Sequence, residues 1–323
     1  MSEEARLTAV ADGLFVWCPE GRGTWGLANC GLLVTEAQAV LVDTPYDLPR
    51  TRRLLAAAEP VLGPDRSIGT VLLTHSNGDH SYGLPALPGV EVIGTEAYLH
   101  ALDHEPTPEQ MHLLTRGGAP GEATGWYLAK HFGRYDFTGL EIVPPTRVFS
   151  GELDLDVDGT PVRLTQAGPA HTDGDLWVHL PEQGVVFAGD LVFAGDHPVH
   201  WAGPLASVID GCERILGTGA EVIVPGHGPL LGPAGLRDYV DYLSWVAERC
   251  RVLRLGGIPA QDAALRLIDS GRYPELGLPE RLAITVATEY RHLSGDQDTP
   301  DLVGLVGAAA RIALARAEAA AAL

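Results

Sequence analysis

Thr74-His75-Ser76-Asn77-Gly78-Asp79-His80 brings two imidazoles, a carboxamide and a carboxylate into one short stretch. Imidazole nitrogen and carboxylate oxygen are ordinary ligands of zinc and other first-row transition ions. The stretch follows Thr70-Val71-Leu72-Leu73, an apolar strand, so its polar side chains stand at a strand's carboxyl end, a usual place for chemistry in sheets of this kind. Gly78 permits the sharp turn that lets neighbouring side chains point to different sides, so one loop can serve two ions. Three more donors sit downstream: His171 in Gly168-Pro169-Ala170-His171-Thr172, Asp190 after Val186-Phe187-Ala188-Gly189, and His227 after Val222-Ile223-Val224-Pro225-Gly226. Each is bracketed by Gly or Pro and comes at the end of an apolar strand or in the loop after one. Any one of these histidines taken singly reads more readily as structural. A set of such donor motifs, all delivered by strand ends, reads as a metal site. A cation held there lowers the pKa of bound water from about 15.7 to about 7 and polarises a carbonyl, sulfuryl or phosphoryl oxygen. Asp79 is placed to orient that water or carry its proton.

The elements that must position these groups are legible in outline. Leu7 to Val10 and Leu14 to Trp17 flank Asp12-Gly13, a hairpin signal. Cys30 to Val34 and Ala39 to Val42 are apolar enough to be buried strands, and Asp47 to Leu62 has helical spacing with Gly63-Pro64 as its stop. Residues 96–146 change character, with more His, Pro and Gly among amphipathic fragments, and are expected to form a helical insertion or lid. Strands return from Val148, with hairpins at Asp158-Gly159 and at Pro181 to Gly184. Leu205 to Leu216 reads as a helix and Glu221 to Val224 as a strand. From Pro233 onward almost everything favours helix and ends in an Ala-rich tail, expected to pack on the protein or to make a dimer contact. The expected organisation is one domain over residues 1–235 and a helical extension over 236–323, in an α/β architecture of two sheets flanked by helices.

Composition excludes several classes. The 323 residues carry 42 acidic against 22 basic side chains, a formal charge of −20. Nucleic acid and anionic membranes reward positive surface, so neither is the expected partner. No apolar run approaches the roughly 18 uncharged residues of a membrane span. The acidic start lacks the features of a signal peptide, and Cys18, Cys30, Cys212 and Cys250 form no CxxC pair. A cytoplasmic protein with reduced thiols and a small-molecule substrate is the expectation.

Taken in order, His75 through His80, His171 in Gly-Pro-Ala-His-Thr, Asp190 in Phe-Ala-Gly-Asp and His227 in Val-Pro-Gly-His-Gly resemble the motifs of the metallo-β-lactamase superfamily over roughly residues 8–230. The resemblance implies an αββα four-layer sandwich of two mixed sheets with one or two metals at the sheet edge. By position, it implies that His75 and His171 hold a first ion, that Asp79, His80 and His227 hold a second, and that Asp190 bridges them. Zinc is the expected ion, with iron or manganese as alternatives. The usual motif is HxHxDH, and here Asn77 stands where its middle histidine is expected; an amide oxygen is a weaker, harder donor. Gly23-Thr24-Trp25-Gly26 resembles the family's substrate-covering loop, which assigns Trp25 a substrate contact. His197 and His200, shortly after Asp190, are further candidates to face the pocket. The implied activity is hydrolysis of a small ester, thioester, lactone or amide by attack of metal-bound hydroxide. A mononuclear iron oxygenase of the same fold and a non-catalytic metal-binding protein are the rivals.

Overall fold

The computed structural model describes residues 6–19, 21, 23–116, 122–296 and 301–322. The first sheet runs in chain order: β1 (Arg6–Ala11), β2 (Leu14–Cys18), β3 (Cys30–Val34), β4 (Ala39–Val42), β5 (Ile68–Leu72), β6 (Glu91–Thr95) and β7 (Arg147–Phe149). Strands β1 to β4 pair antiparallel, with tight turns joining β1 to β2 and β3 to β4. Strands β4 to β7 pair parallel, and helix α1 (Leu48–Leu62) makes the first crossover. The second sheet holds β8 (Glu152–Val157), β9 (Thr160–Gln166), β10 (Leu176–Leu180), β11 (Val185–Phe193) and β12 (Val222–His227), in the order β12-β11-β10-β9-β8. Only β11 and β12 pair parallel, joined through helix α6 (Leu205–Gly217).

Side-chain alternation makes each strand two-faced. Leu14 and Val16 of β2 and Val40 and Val42 of β4 enter a core between the sheets, where Val178, Leu180, Phe187 and Val224 meet them. Trp17, Leu41 and Val71 point the other way, onto Leu54 and Ala58 of α1. The outer face of the second sheet, with Val186, Ala188 and Ile223, is covered by Val208 and Ile215 of α6. The result is two mixed sheets, helices outside both.

Helix α1 shows why these boundaries fall where they do. Asp47 caps its first turn, accepting from Arg50 N at 2.9 Å, and Pro49 sits where a missing N–H costs nothing. Gly63 ends it with a positive φ of 67°, a conformation glycine enters freely.

The insertion folds as α3 (Glu96–Leu102), α4 (Pro108–Arg116) and α5 (Ala123–Phe132), preceded in the chain by the one-turn α2 (Gly78–Ser81). The C-terminal stretch forms α7 (Pro233–Leu255), α8 (Ala260–Asp269), α9 (Leu282–Ser294) and α10 (Leu302–Ala321). Leu236, Leu243 and Val246 of α7 and Ile284 and Val286 of α9 share one core with the second sheet's outer face. The Ala-rich α10 packs Ala310 and Ala313 against Tyr127 of α5, so the tail closes onto the insertion. Among the described residues no helix is long and apolar enough to cross a membrane.

Candidate metal centre

All seven donors singled out from the sequence converge at one edge of the sheets. His75 follows β5, and Asn77 stands immediately before α2, which carries Asp79 and His80. Asp190 lies within β11, where the register with β12 slips between Gly189 and Phe193; such an irregularity re-aims a side chain. His227 is the last residue of β12. His171 sits on the β9–β10 loop, which Asp175 fixes by accepting from Thr172 N (2.9 Å) and Thr172 Oγ1 (2.7 Å).

The donors form two groups, His75–His171–Asp190 and Asp79–His80–His227, each with its candidate ligand atoms within 4.8 Å of one another. Asp190 stands between them. Its Oδ2 is 3.3 Å from Nε2 of His171 in one group and 3.3 Å from Nε2 of His227 in the other. Its Oδ1 is 3.2 Å from His80 Nε2. Asp79 Oδ2 lies 3.3 Å from His227 Nε2.

The four imidazoles share one arrangement: Nδ1 is engaged outward and Nε2 faces the centre. His171 Nδ1 is 2.6 Å from Val199 O and His227 Nδ1 is 3.0 Å from Leu27 O. His80 Nδ1 is 2.8 Å from Asp43 Oδ2, and His75 Nδ1 is 3.0 Å from Thr74 Oγ1, which itself donates to Asp43 Oδ2 at 2.7 Å. In the neutral ring an acceptor on Nδ1 holds the proton there and turns the Nε2 lone pair toward the centre, which is how metal-ligating imidazoles are held. Despite full burial, His75 Nε2 and Asp190 Oδ1 have no hydrogen-bond partner. Orphaned buried acceptors are costly unless something positive meets them, so the residues present fit a cation.

Electrostatics agree. Burial opposes charge on His227, yet Asp190 and Asp79 outweigh it and push its pKa up to about 9. Burial also works against the Asp79 carboxylate, but His227 and His80 pull it down to about 2. Burial, reinforced by the neighbouring His80, keeps His75 well below its ordinary value and therefore neutral.

Three residues here escaped sequence reasoning. Asp43 follows an apolar strand just as Asp190 does, a signal that was available. Its carboxylate also accepts from Thr74 N at 2.7 Å, so one buried group orients both His75 and His80. Glu105, in the insertion, accepts from Asn77 Nδ2 at 2.6 Å and from Ser76 Oγ at 3.3 Å. Nothing in its local sequence marks it. Arg281, 2% exposed, lies with its guanidinium 4.2 Å over the Trp25 ring and donates to the carbonyls of His197 and Thr24.

Trp25 is half-buried, its Nε1 donating to Tyr127 Oη at 2.8 Å and its ring 6.2 Å from Trp201. Trp201 N in turn donates to His171 O at 2.9 Å, so this aromatic pair stands beside the first group. His200 is buried, with its ring 6.0 Å from that of His171 and its Nε2 3.3 Å from Tyr239 Oη. His197 turns away: its Nδ1 is 2.7 Å from Tyr242 Oη, and it lines a separate cavity of about 220 Å³ with Trp245, Tyr273 and Arg272.

Stacked mixed sheets, helices outside both, and two donor groups sharing a carboxylate at one edge define the class: an αββα sandwich with candidate metal-ligand groups at its sheet edge. The chain belongs to the metallo-beta-lactamase superfamily, whose family description matches residues 23–227. It is similar to the acyl-coenzyme A thioesterase MBLAC2 of Gallus gallus, 28% identical over 233 residues, 67% of this chain and 78% of that protein. It is 25% identical over 217 residues to lactamase-like protein nscB of Neosartorya fischeri, 66% of this chain and 52% of the relative, so it spans about half that protein's length. The atrochrysone carboxyl ACP thioesterase of Aspergillus fumigatus is 26% identical over 207 residues, 63% of this chain and 51% of its own. Among solved structures, the sec-alkylsulfatase Pisa1 from Pseudomonas sp. superposes with a TM-score of 0.66 at 17% identity, covering 91% of this chain and 51% of that one. The metallo-beta-lactamase FIM-1 from Pseudomonas aeruginosa, in its mono-zinc form, gives 0.52 at 20% identity, over 74% of this chain and 94% of the other. At these identities the structural likenesses establish the fold.

Proposed function

We propose that the protein is a metal-dependent hydrolase of a small organic acyl compound, a thioester foremost, with zinc as its ion. One observation carries the reading. Four imidazoles, three of them buried and His227 partly so, each anchored through Nδ1, aim Nε2 at a shared carboxylate, and buried acceptors there lack any hydrogen-bond partner. A divalent cation bound there supplies Lewis acidity for the scissile carbonyl and water acidified to about neutral.

The chain's own residues do the rest. Asp190 spans both donor groups and neutralises part of the charge gathered there. Asp79, kept a carboxylate at neutral pH because His227 and His80 outweigh its burial, can accept a hydrogen bond from a water and orient it. Trp25 and Trp201, beside His171, offer apolar wall to the organic body of a substrate. The thioester preference draws on the relatives named as thioesterases; the site itself suits any activated acyl group, and fold alone does not choose among them.

The test strips the protein of metal and returns zinc or manganese before assaying thioester, ester, lactone and β-lactam substrates. Metal-dependent thiol release from the thioester is expected to exceed hydrolysis of the others. His227→Ala should lower turnover by about a hundredfold or more and remove bound metal while the fold persists. Full activity in that variant, or in metal-free protein, refutes the assignment.

A further inference from the structure

Asn77 poses an accounting problem in hydrogens. His171 Nδ1, 2.6 Å from the Val199 carbonyl, has to donate there. A neutral imidazole carries one N–H, so His171 Nε2 presents a bare lone pair. That lone pair lies 2.6 Å from Asn77 Oδ1, another acceptor. The other end of the amide explains the orientation: Asn77 Nδ2 donates to Glu105 Oε1 at 2.6 Å. Turning the amide over would set Oδ1, an acceptor, against Glu105 Oε1, which already accepts from Ser76 Oγ, so this contact selects the oxygen-inward form. Two lone pairs facing one another at this distance repel unless a positive charge lies within reach of both. The Nε2 of His75 and the Oδ1 of Asp190, both buried in the same cluster, have no hydrogen-bond partner either.

Glu105 is firmly held. It lies between α3 and α4, where Tyr82 Oη donates to Pro106 O. Thr107 and Gln110 cap the start of α4 reciprocally, at 2.8 and 3.2 Å.

Resting on the hydrolase reading above, we infer that Asn77 gives its carboxamide oxygen to an ion shared with His75, His171 and Asp190, and that Glu105 is the positioning residue that keeps this oxygen inward. The insertion thereby sets the affinity of the first ion. An amide oxygen is a harder, weaker donor than imidazole, and the second group contains His80, His227 and Asp79. The two ions therefore bind in separable steps, the weaker belonging to the Asn77 group.

The experiment is a zinc titration of metal-free full-length protein at pH 8 against a chromophoric chelator, with bound metal counted. Native protein is expected to show a tight step and a weaker one. Glu105→Leu should loosen only the weaker step, by about 10–100-fold, the usual cost of losing a group that orients a metal ligand. Glu105→Gln, which keeps an acceptor for Asn77, should restore it. Asn77→Ala should lose the same step, and adding Glu105→Leu to it should cost little more, because Glu105 acts through Asn77. Two steps unmoved by Glu105→Leu, or losses that simply add in the double variant, overturn the inference while leaving the hydrolase reading in place. Failure to take up zinc at all would overturn that reading and this inference with it.

Discussion

Asp43→Asn is the substitution that asks most of the site for the least change in shape. Asp43 has a φ of 58°, a left-handed conformation that Asp and Asn both tolerate, so the backbone has no reason to move. The carboxylate accepts three hydrogen bonds, Oδ1 from Thr74 N and Oδ2 from Thr74 Oγ1 and His80 Nδ1. In the variant the new amide oxygen must face Thr74 N, because an NH2 there would meet another donor. The NH2 then faces His80 Nδ1 and Thr74 Oγ1. His80 can accept from it only by moving its proton to Nε2. The Thr74 hydroxyl, no longer donating to a carboxylate, turns its hydrogen on His75 Nδ1, which drives that ring's proton to Nε2 too. One substitution thus turns two inward lone pairs into N–H groups. Hydrogen bonds to a charged group contribute about 1.5–3 kcal/mol each. Holding either ring in its former tautomer forfeits about that much, a loss of tenfold to a hundredfold in metal affinity at each position. Chelator competition measures the affinities, and thermal unfolding of the metal-free protein controls for folding. Binding within threefold of native at both positions, with the fold intact, would refute the tautomer argument.

Metal affinity should also depend on pH in a stated direction. With its pKa raised to about 9, His227 is an imidazolium in the metal-free protein at neutral pH, and an ion must displace that proton. His80, in the same group, is also raised well above its ordinary value, because Asp190 and Asp43 outweigh its burial, so apparent affinity there is expected to climb by at least about tenfold per pH unit through the neutral range; a flat profile from pH 6.5 to 9.5 would exclude proton competition at these rings. Without metal the same proton stabilises the fold. Folding gains it fully below the unfolded value near 6.5 and loses it as pH rises through about 9. Gly226→Ala tests the packing around the shared carboxylate. A Cβ at this position would collide with Asp190 Oδ1 and come within 2.9 Å of the Gly189 backbone. The expected cost is about 1–3 kcal/mol in urea unfolding, together with loss of bound metal as Asp190 is displaced. Full metal content in that variant would show that Asp190 is dispensable.

Local signals were enough to read much of the molecule. The Asp12-Gly13 turn marked β1 and β2, continuous apolar runs marked β3 and β4, Asp47 and Gly63 bounded α1, and glycine-containing turns separated the later hairpins. Those features depend on residues a few positions apart. The donor motifs were legible for a related reason: each sits where an apolar strand gives way to Gly or Pro, and strand ends on one edge of a sheet gather side chains together. Asp43 carried the same mark, and the weight given to histidines hid it.

The tertiary structure alone decided how those donors are held. Glu105 reaches Asn77 from 28 residues away, Val199 meets His171 across 28, and Leu27 meets His227 across 200. Arg281 reaches back from the C-terminal helices to Trp25. Which nitrogen of an imidazole carries the proton, and which end of an amide faces a cation, follow from such partners. A hydrogen bond requires two groups within about 3 Å, and residue spacing along a chain says nothing about that distance until the sheets have stacked.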